Sequence, residues 1–286
     1  MKNFILFGAA GYVAPKHMKA IKENGGNLIA ICDPHDSVGV IDSYFPECRY
    51  FKDLERLDNH YHKLKRKGIN IDYVVVSSPN FLHDAHCRWS LRVGSDVICE
   101  KPLVLFERDL DVLIDLEKET NKKVYGLYQL RYHPLIKEMR EIVSYTEGNI
   151  VNIEYNTPRG NWYLYSWKGI KEKSGGIETN IGCHLFDICS YMFGKYESIE
   201  IKERQQNYSE GKINYINGEV NWKLSIKPGK PERKFIVNGK EFVFDLLFSD
   251  LHTIAYTQIL NGKGIPLESF RQSIKICEEI RKNGKN

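Results

Sequence analysis

Phe4-Ile5-Leu6-Phe7-Gly8-Ala9-Ala10-Gly11-Tyr12-Val13-Ala14 is an apolar run that stops at a glycine and passes through small residues into a helical pattern reaching about Asn24. A short, fully apolar run suits a strand buried on both faces of a parallel sheet. Small residues where a strand turns into a helix let the backbone approach a pyrophosphate, whose charge the helix N-terminus stabilises. The spacing departs from a G-x-G-x-x-G pattern, and a generic strand-to-helix turn would read the same way.

Moving outward, the alternation repeats. Leu28-Ile29-Ala30-Ile31-Cys32 reads as a second strand ending at Asp33, and Tyr73-Val74-Val75-Val76-Ser77 as a third. A helix is expected from Leu82 to Val93, stopped by Gly94, before a strand at Asp96-Val97-Ile98-Cys99. Another helix runs from Arg108 to Thr120, and Lys123-Val124-Tyr125 begins a fifth strand. Strand-helix alternation at this spacing predicts a parallel sheet covered on both faces, here over residues 1–125.

The pattern changes from residue 126 to 286. Asn152-Ile153-Glu154-Tyr155 and Glu219–Ile226 alternate like strands of an antiparallel sheet. Phe235–Phe242 reads as a hairpin about an Asn238-Gly239 turn. Helices are expected at Cys183–Met192, Thr253–Leu260 and Leu267–Arg281. The fold class is therefore α/β, a parallel-sheet domain followed by an α+β domain with a mostly antiparallel open sheet.

Composition narrows the function. The 286 residues carry a formal charge of only +4, which argues against a nucleic-acid partner. Lys63-Leu64-Lys65-Arg66-Lys67 reads as the solvated end of a helix. No apolar run approaches the ~20 residues of a membrane span, and the N-terminus is too short in apolar residues for a signal peptide, so the expected location is cytoplasmic. The seven cysteines are scattered with no Cys-x-x-Cys, so neither a disulfide framework nor a zinc site is expected. His60, His62, His83 and His86 form no convincing ligand set, and no metal is expected.

Three strand ends carry candidate chemistry. Asp33 stands where an acid receives the ribose hydroxyls of NAD and repels the 2′-phosphate of NADP; it could also be a turn residue before Pro34. Ser77-Ser78-Pro79-Asn80-x-x-His83 follows the third strand and Cys99-Glu100-Lys101-Pro102 the fourth. Both lie where open α/β sheets bind ligands, although a lysine there could be a surface charge.

Taken together, these motifs resemble the Gfo/Idh/MocA oxidoreductases over essentially the whole chain. The resemblance implies an N-terminal Rossmann domain and places Lys101 beside the nicotinamide and the reacting hydroxyl. It carries Gly8, Gly11, Tyr12, Val13, Asp33, Asp36, Ser78, Asn80, His83, Glu100, Lys101 and Gln129 to the cofactor. The family's Gly-x-His falls in Gly175-Gly176-Ile177-Glu178-Thr179-Asn180-Ile181-Gly182-Cys183-His184-x-x-Asp187, with Asn180 where the family often has Asp. A narrower likeness lies in Gly8–His17, Asp36–Gly39, Gln129-Leu130-Arg131-Tyr132-His133 and Arg159-Gly160-Asn161-Trp162-Tyr163-Leu164-x-Ser166-Trp167-Lys168-Gly169. These look like the bacterial UDP-N-acetylglucosaminuronate 3-dehydrogenases of lipopolysaccharide O-antigen synthesis. That likeness implies NAD, oxidation at C3 of a UDP-sugar, and a homotetramer.

The chemistry fits. Oxidising a secondary alcohol needs a base and a hydride acceptor. Free histidine has a pKa of ~6.5, so His184 is assigned as the base and Lys101 as the group holding the hydroxyl oxygen; the reverse assignment stays open. A UDP-uronate needs cations and polar donors. Arg131, Arg159 and Lys168 are the candidate cations, and Asn161, Tyr163, Thr179 and Asn180 the hydrogen-bonding partners, alongside Lys101 and His184. Trp162 and Trp167 could stack on the ligand or belong to the core, and Arg49 of a neighbouring subunit could contribute. A dehydrogenase of another sugar or inositol, and a non-enzymatic NAD-binding module, are the rival readings. The second has no use for both Lys101 and His184.

Overall fold

The computed structural model describes every residue except 145–146, 245–249 and 285–286. In chain order the first elements are β1 (Asn3–Phe7), α1 (Ala14–Glu23), β2 (Asn27–Cys32), β3 (Arg49–Phe51), α2 (Leu54–Arg66), β4 (Tyr73–Val76), α3 (His83–Val93), β5 (Asp96–Glu100), α4 (Glu107–Thr120) and β6 (Val124–Leu127). There follow α5 (Leu135–Ser144), β7 (Asn149–Asn156), α6 (Trp162–Tyr165), α7 (Lys171–Ser174), α8 (Gly176–Asn180) and α9 (Cys183–Phe193). The chain ends with β8 (Tyr196–Gln205), β9 (Tyr208–Tyr215), β10 (Gly218–Ser225), β11 (Glu232–Val237), β12 (Lys240–Phe242), α10 (Leu251–Leu260) and α11 (Arg271–Asn283).

The chain forms two compact units, and the split is not a single cut. The first comprises Met1–Leu103, Arg108–Leu127 and Asp250–Glu268, and the second comprises the remainder. A boundary between 125 and 126 therefore misplaces residues 250–268. Their helix α10 packs on α1 instead, with Lys19 Nζ donating to Asp250 at 2.7 Å and the Thr253 and Thr257 hydroxyls to Glu23 and Asn24 at 2.7 and 2.8 Å.

In the first unit the six strands are all parallel, in the order β3-β2-β1-β4-β5-β6. Every residue of the central strand β4 is buried, as its unbroken Tyr-Val-Val-Val demands. Winding runs outward from β1 to β3 and then crosses to β4, so the turns after β1 and β4 diverge at the point where such sheets take ligands. The edge strand β3 is the one element of this sheet without a prior expectation. It has three residues, none buried, and so carries no apolar signal. Gly94, at φ 98°, closes α3 in the left-handed region, and the Asp53 carboxylate caps α2 by accepting from the Arg56 amide at 2.9 Å. The lysines of the 63–67 run lie on the exposed last turn of α2 and just beyond it.

The second unit holds a six-stranded sheet in the order β12-β11-β7-β10-β9-β8. All its pairings are antiparallel except β7 with β10. One face buries Val151, Ile153, Val220, Trp222, Leu224, Phe235 and Val237. Asn238 and Gly239, at φ 49° and 81°, make the hairpin turn read from the sequence.

Candidate functional site

In the first unit the small-residue turn is pressed against β4. Gly8 sits at φ 84°, and a Cβ there would lie 2.4 Å from the Ser77 carbonyl oxygen, so only glycine fits. Gly11 closes the turn, its amide donating to the Gly8 carbonyl at 3.1 Å. Val13 precedes α1 and Pro15 occupies its first turn, while the Tyr12 side chain is 92% exposed. The surface of this turn is therefore largely backbone at the start of a ten-residue helix, the arrangement that accepts a diphosphate.

Asp33 ends β2 and is buried. Its Oδ2 accepts from the Ala10 amide and its Oδ1 from the His35 amide, both at 2.9 Å, which ties the turn to the strand end. A carboxylate offers about four lone-pair sites, so two acceptor positions remain for ribose hydroxyls. Asp36, beyond it, is exposed.

The turns after β4 and β5 are joined through one imidazole. His83 is buried, with Nδ1 2.6 Å from the Pro102 carbonyl and Nε2 2.7 Å from the Ser78 carbonyl. Burial pushes its pKa down, against the pull of those two acceptors. Both ring nitrogens thus face protein carbonyls, of which the neutral ring donates to one, and His83 braces the Lys101-Pro102 turn against the turn after β4. Ser78 Oγ meets His86 Nδ1 at 2.9 Å, and His86 stacks on Phe7 with ring centroids 4.1 Å apart. Asn80 is buried in the same turn.

Glu100 behaves differently from its motif neighbour. Its side chain points into the protein, with Oε1 3.1 Å from His252 Nε2 and 3.2 Å from His17 Nε2, and Oε2 accepting the Lys101 amide at 3.1 Å. Burial alone would raise its pKa, but the contacts from His17 and His252 outweigh that and hold it well below the usual carboxylate range. Lys101 follows, half-buried, through a cis peptide to Pro102. The Glu100 carboxylate is committed inward, which leaves its backbone as the part of this residue that faces the strand end.

In the second unit Gln129 follows β6. Its side-chain oxygen is buried with no hydrogen-bond partner among the described residues. Arg131, expected on the anionic substrate, is instead part of the framework. Its Nε and Nη2 donate to Asp187 at 2.7 and 2.6 Å, and Nη2 also donates to the Ser269 carbonyl at 2.8 Å. The guanidinium carbon lies 4.9 Å from the ring centroids of both Tyr191 and Phe270. Arg131 is therefore not carried further as a substrate residue.

His184 lies in the first turn of α9, half-buried, with Tyr128 edge-on at 5.7 Å between centroids. Asp187, one turn on, is the acid that holds Arg131. Asn180, at the end of α8, donates to the Tyr163 hydroxyl at 2.6 Å, which joins two of the expected hydrogen-bonding residues. Thr179 is buried, and its hydroxyl donates back to the Gly175 carbonyl at 2.8 Å, so it serves its own helix. Arg159 and Asn161 are exposed, and Lys168 Nζ lies 4.0 Å from the Trp167 ring centroid. Trp162 is 58% exposed and so is not a core residue.

Sequence reading missed His252 and Tyr256 outright. They lie far along the chain from Glu100, on a helix assigned to the wrong unit. His17 stood within a quoted motif, without a role.

The family models match in both halves. Residues 2–128 match the oxidoreductase family's NAD-binding Rossmann fold, and residues 146–262 match its C-terminal alpha/beta domain. The chain belongs to the Gfo/Idh/MocA oxidoreductase family. Within it, the chain is similar to the WlbA (WbpB) dehydrogenase of Thermus thermophilus. The structure of that enzyme with NAD and alpha-ketoglutarate is 38% identical, with a TM-score of 0.96 over 100% of this chain and 96% of that one. Its structure with NAD and UDP-GlcNAcA is likewise 38% identical, with a TM-score of 0.93 over 98% of this chain and 95% of that one. Oxidoreductase P35 of Formosa agariphila is 27% identical over 168 residues, which is 55% of this chain and 51% of that protein. The chain spans about half the length of the first curated relatives it matches. Among the described residues no helix is long and apolar enough to cross a membrane.

Proposed function

We propose that this protein is an NAD-dependent dehydrogenase that oxidises the C3 hydroxyl of UDP-N-acetylglucosaminuronate to the 3-keto sugar. The observation that carries the reading is the 38% identity, over nearly the whole of both chains, to a dehydrogenase whose structure holds NAD and UDP-GlcNAcA. Bound NAD supplies the hydride acceptor. The Gly8–Val13 turn and the α1 N-terminus receive its diphosphate, and Asp33 its ribose hydroxyls. The buried Gln129 oxygen, without a hydrogen-bond partner among the described residues, suits a carboxamide N–H.

The proton chemistry falls to two residues. Lys101 Nζ donates to the substrate hydroxyl oxygen and stabilises the charge that develops there as the proton leaves. An imidazole nitrogen of His184 takes that proton as general base. Asn180, at the end of the helix before the one that carries His184, and Tyr163 form a polar pair and bind the sugar. Arg159, Asn161 and Lys168 meet its carboxylate or diphosphate, because a bound anion without partners pays a large desolvation penalty. The 3-keto product then goes to an aminotransferase in lipopolysaccharide O-antigen synthesis. The working enzyme is a cytoplasmic homotetramer, a reading that rests on resemblance.

The test is to mix the protein with NAD and a panel of UDP-GlcNAcA, UDP-GlcNAc, free sugars and inositol, following nicotinamide absorbance and the product by NMR. A signal with UDP-GlcNAcA and a ketone at C3 is expected. Turnover of free sugar or inositol in preference would replace the substrate assignment.

A further inference from the structure

Two buried histidines contact the carboxylate directly before Lys101, and the chemistry above gives them no part. His17 lies on α1, the helix that begins at the small-residue turn. His252 lies on α10, the helix that returns to the first unit late in the chain. Both bring Nε2 to the same oxygen of Glu100, at 3.2 and 3.1 Å, and their rings stand nearly perpendicular with centroids 5.4 Å apart. The other oxygen of Glu100 accepts the Lys101 amide at 3.1 Å. Three segments far apart in sequence therefore meet at one carboxylate, and the backbone of Lys101 hangs from its far side.

The tautomer of His17 is set from its other side. The Tyr256 hydroxyl lies 2.8 Å from His17 Nδ1. If that hydroxyl donates to Nδ1, the neutral His17 ring keeps its proton on Nε2, facing Glu100. Burial lowers the pKa of His17, so the neutral ring is the form present at pH 7. The His17 contact is bent away from an ideal hydrogen-bond line, whereas the His252 bond is well formed. Other ionisable groups acting on the cluster are Lys16 on His17, Tyr256, and His83 beyond Glu100.

We propose that His17 and His252 are positioning residues: they hold the Glu100 carboxylate, and through it the backbone at Lys101, in fixed register with the helix that starts at the cofactor turn. The proposal rests on the reading of Lys101 as a reacting-centre residue. It predicts that catalysis depends on two side chains that touch neither substrate nor cofactor.

The test uses the full-length protein with NAD and UDP-GlcNAcA. His17→Leu and His252→Leu should each lower kcat by roughly tenfold or more, as small misplacements of a reacting group do. NAD affinity, measured by calorimetry, should stay within about twofold in the same variants. His252→Gln keeps an N–H donor within reach of the carboxylate and should recover most of kcat. Leucine at 252 in a Glu100→Gln background should cost less than in the parent, because the neutral amide needs that donor less. Tyr256→Phe frees the His17 tautomer with little change in packing and should lower kcat by about threefold, which keeps the test alive if the leucine variants do not fold.

Folded leucine variants with parental kcat, or a glutamine variant no better than leucine, would overturn the proposal. The same three side chains also place their ligand atoms within 4.8 Å of one another. Stoichiometric zinc in the purified protein, with kcat lost on chelation, would overturn it in favour of a metal centre. Lys101→Ala, run alongside, separates the two readings. If that variant turns over normally, the assignment of Lys101 falls; if it is inactive while the histidine variants keep full kcat, only the positioning role falls.

Discussion

Two arginines of the second unit read alike in the sequence and sit in opposite surroundings. Arg131 follows β6, its side chain 6% exposed, gripped by Asp187 and flanked by two aromatic rings. Arg159 lies in the exposed segment after β7, where Nη1 donates only to the carbonyl of its neighbour Pro158, at 3.2 Å, and no acid pairs with it among the described residues. Residue type and motif context made both candidates for a substrate anion. The difference is made by Asp187, on another helix and distant in sequence. A buried acid converts an arginine from a ligand group into framework, because a buried charge needs a permanent counter-charge. The lesson extends to the first unit, where His83 and Glu100 carry motif identities and both bond inward.

The comparison can be broken most directly at Arg131. Arg131→Met leaves Asp187 buried and uncompensated, and should cost about 3–5 kcal/mol of stability in urea titration. A variant as stable as the parent but with weakened substrate binding would return Arg131 to the ligand site. Next in size, Lys101→Ala should lower turnover by roughly a hundredfold or more while NAD binding survives, since positioned proton-transfer chemistry is typically worth that much. Near-normal turnover would make the lysine a surface charge.

Arg159→Met should do the reverse of Arg131→Met. Stability should move by less than about 0.5 kcal/mol, as for other exposed positions, and substrate affinity should fall by roughly tenfold with NAD affinity unchanged. Comparing UDP-GlcNAcA with UDP-GlcNAc sharpens this. A loss confined to the uronate places Arg159 at the carboxylate, and equal losses place it at the diphosphate.

The smallest effect is one of pH. Burial lowers the pKa of His86 to about 4, so the folded protein keeps it neutral where the unfolded chain takes up a proton. That contribution is present above the unfolded value of ~6.5 and is lost as pH falls. Between pH 7 and 6 it amounts to about 0.7 kcal/mol. His86→Phe should remove that share of the pH dependence, and an unchanged slope would show that the ring is solvated.

Much of the architecture was legible because it is written in local patterns. The unbroken apolar strands, Gly94 and the Asn238-Gly239 turn each specify their geometry within a few residues. The strand β3 was not legible, since three half-exposed edge residues leave no period to read. The assignment of α10 failed for a different reason. Its apolar pattern marks a helix, but nothing in it names α1 as the partner. At the candidate site the motifs located the right turns, while the direction of individual side chains depended on distant partners. Glu100 turns inward for His17 and His252, and the Thr179 hydroxyl bonds back to the Gly175 carbonyl.

The return of α10 also sets an order of events during synthesis. When residues 1–127 have left the ribosome, the first unit still lacks the segment that covers α1 and supplies His252 to Glu100. The missing helix arrives only after the whole second sheet has been made, at ~5–20 residues per second a delay of roughly 6–25 s. Through that interval the nascent nucleotide-binding sheet keeps an apolar flank open, and the second unit in turn waits for Ser269–Asn286, which follow α10 in the chain.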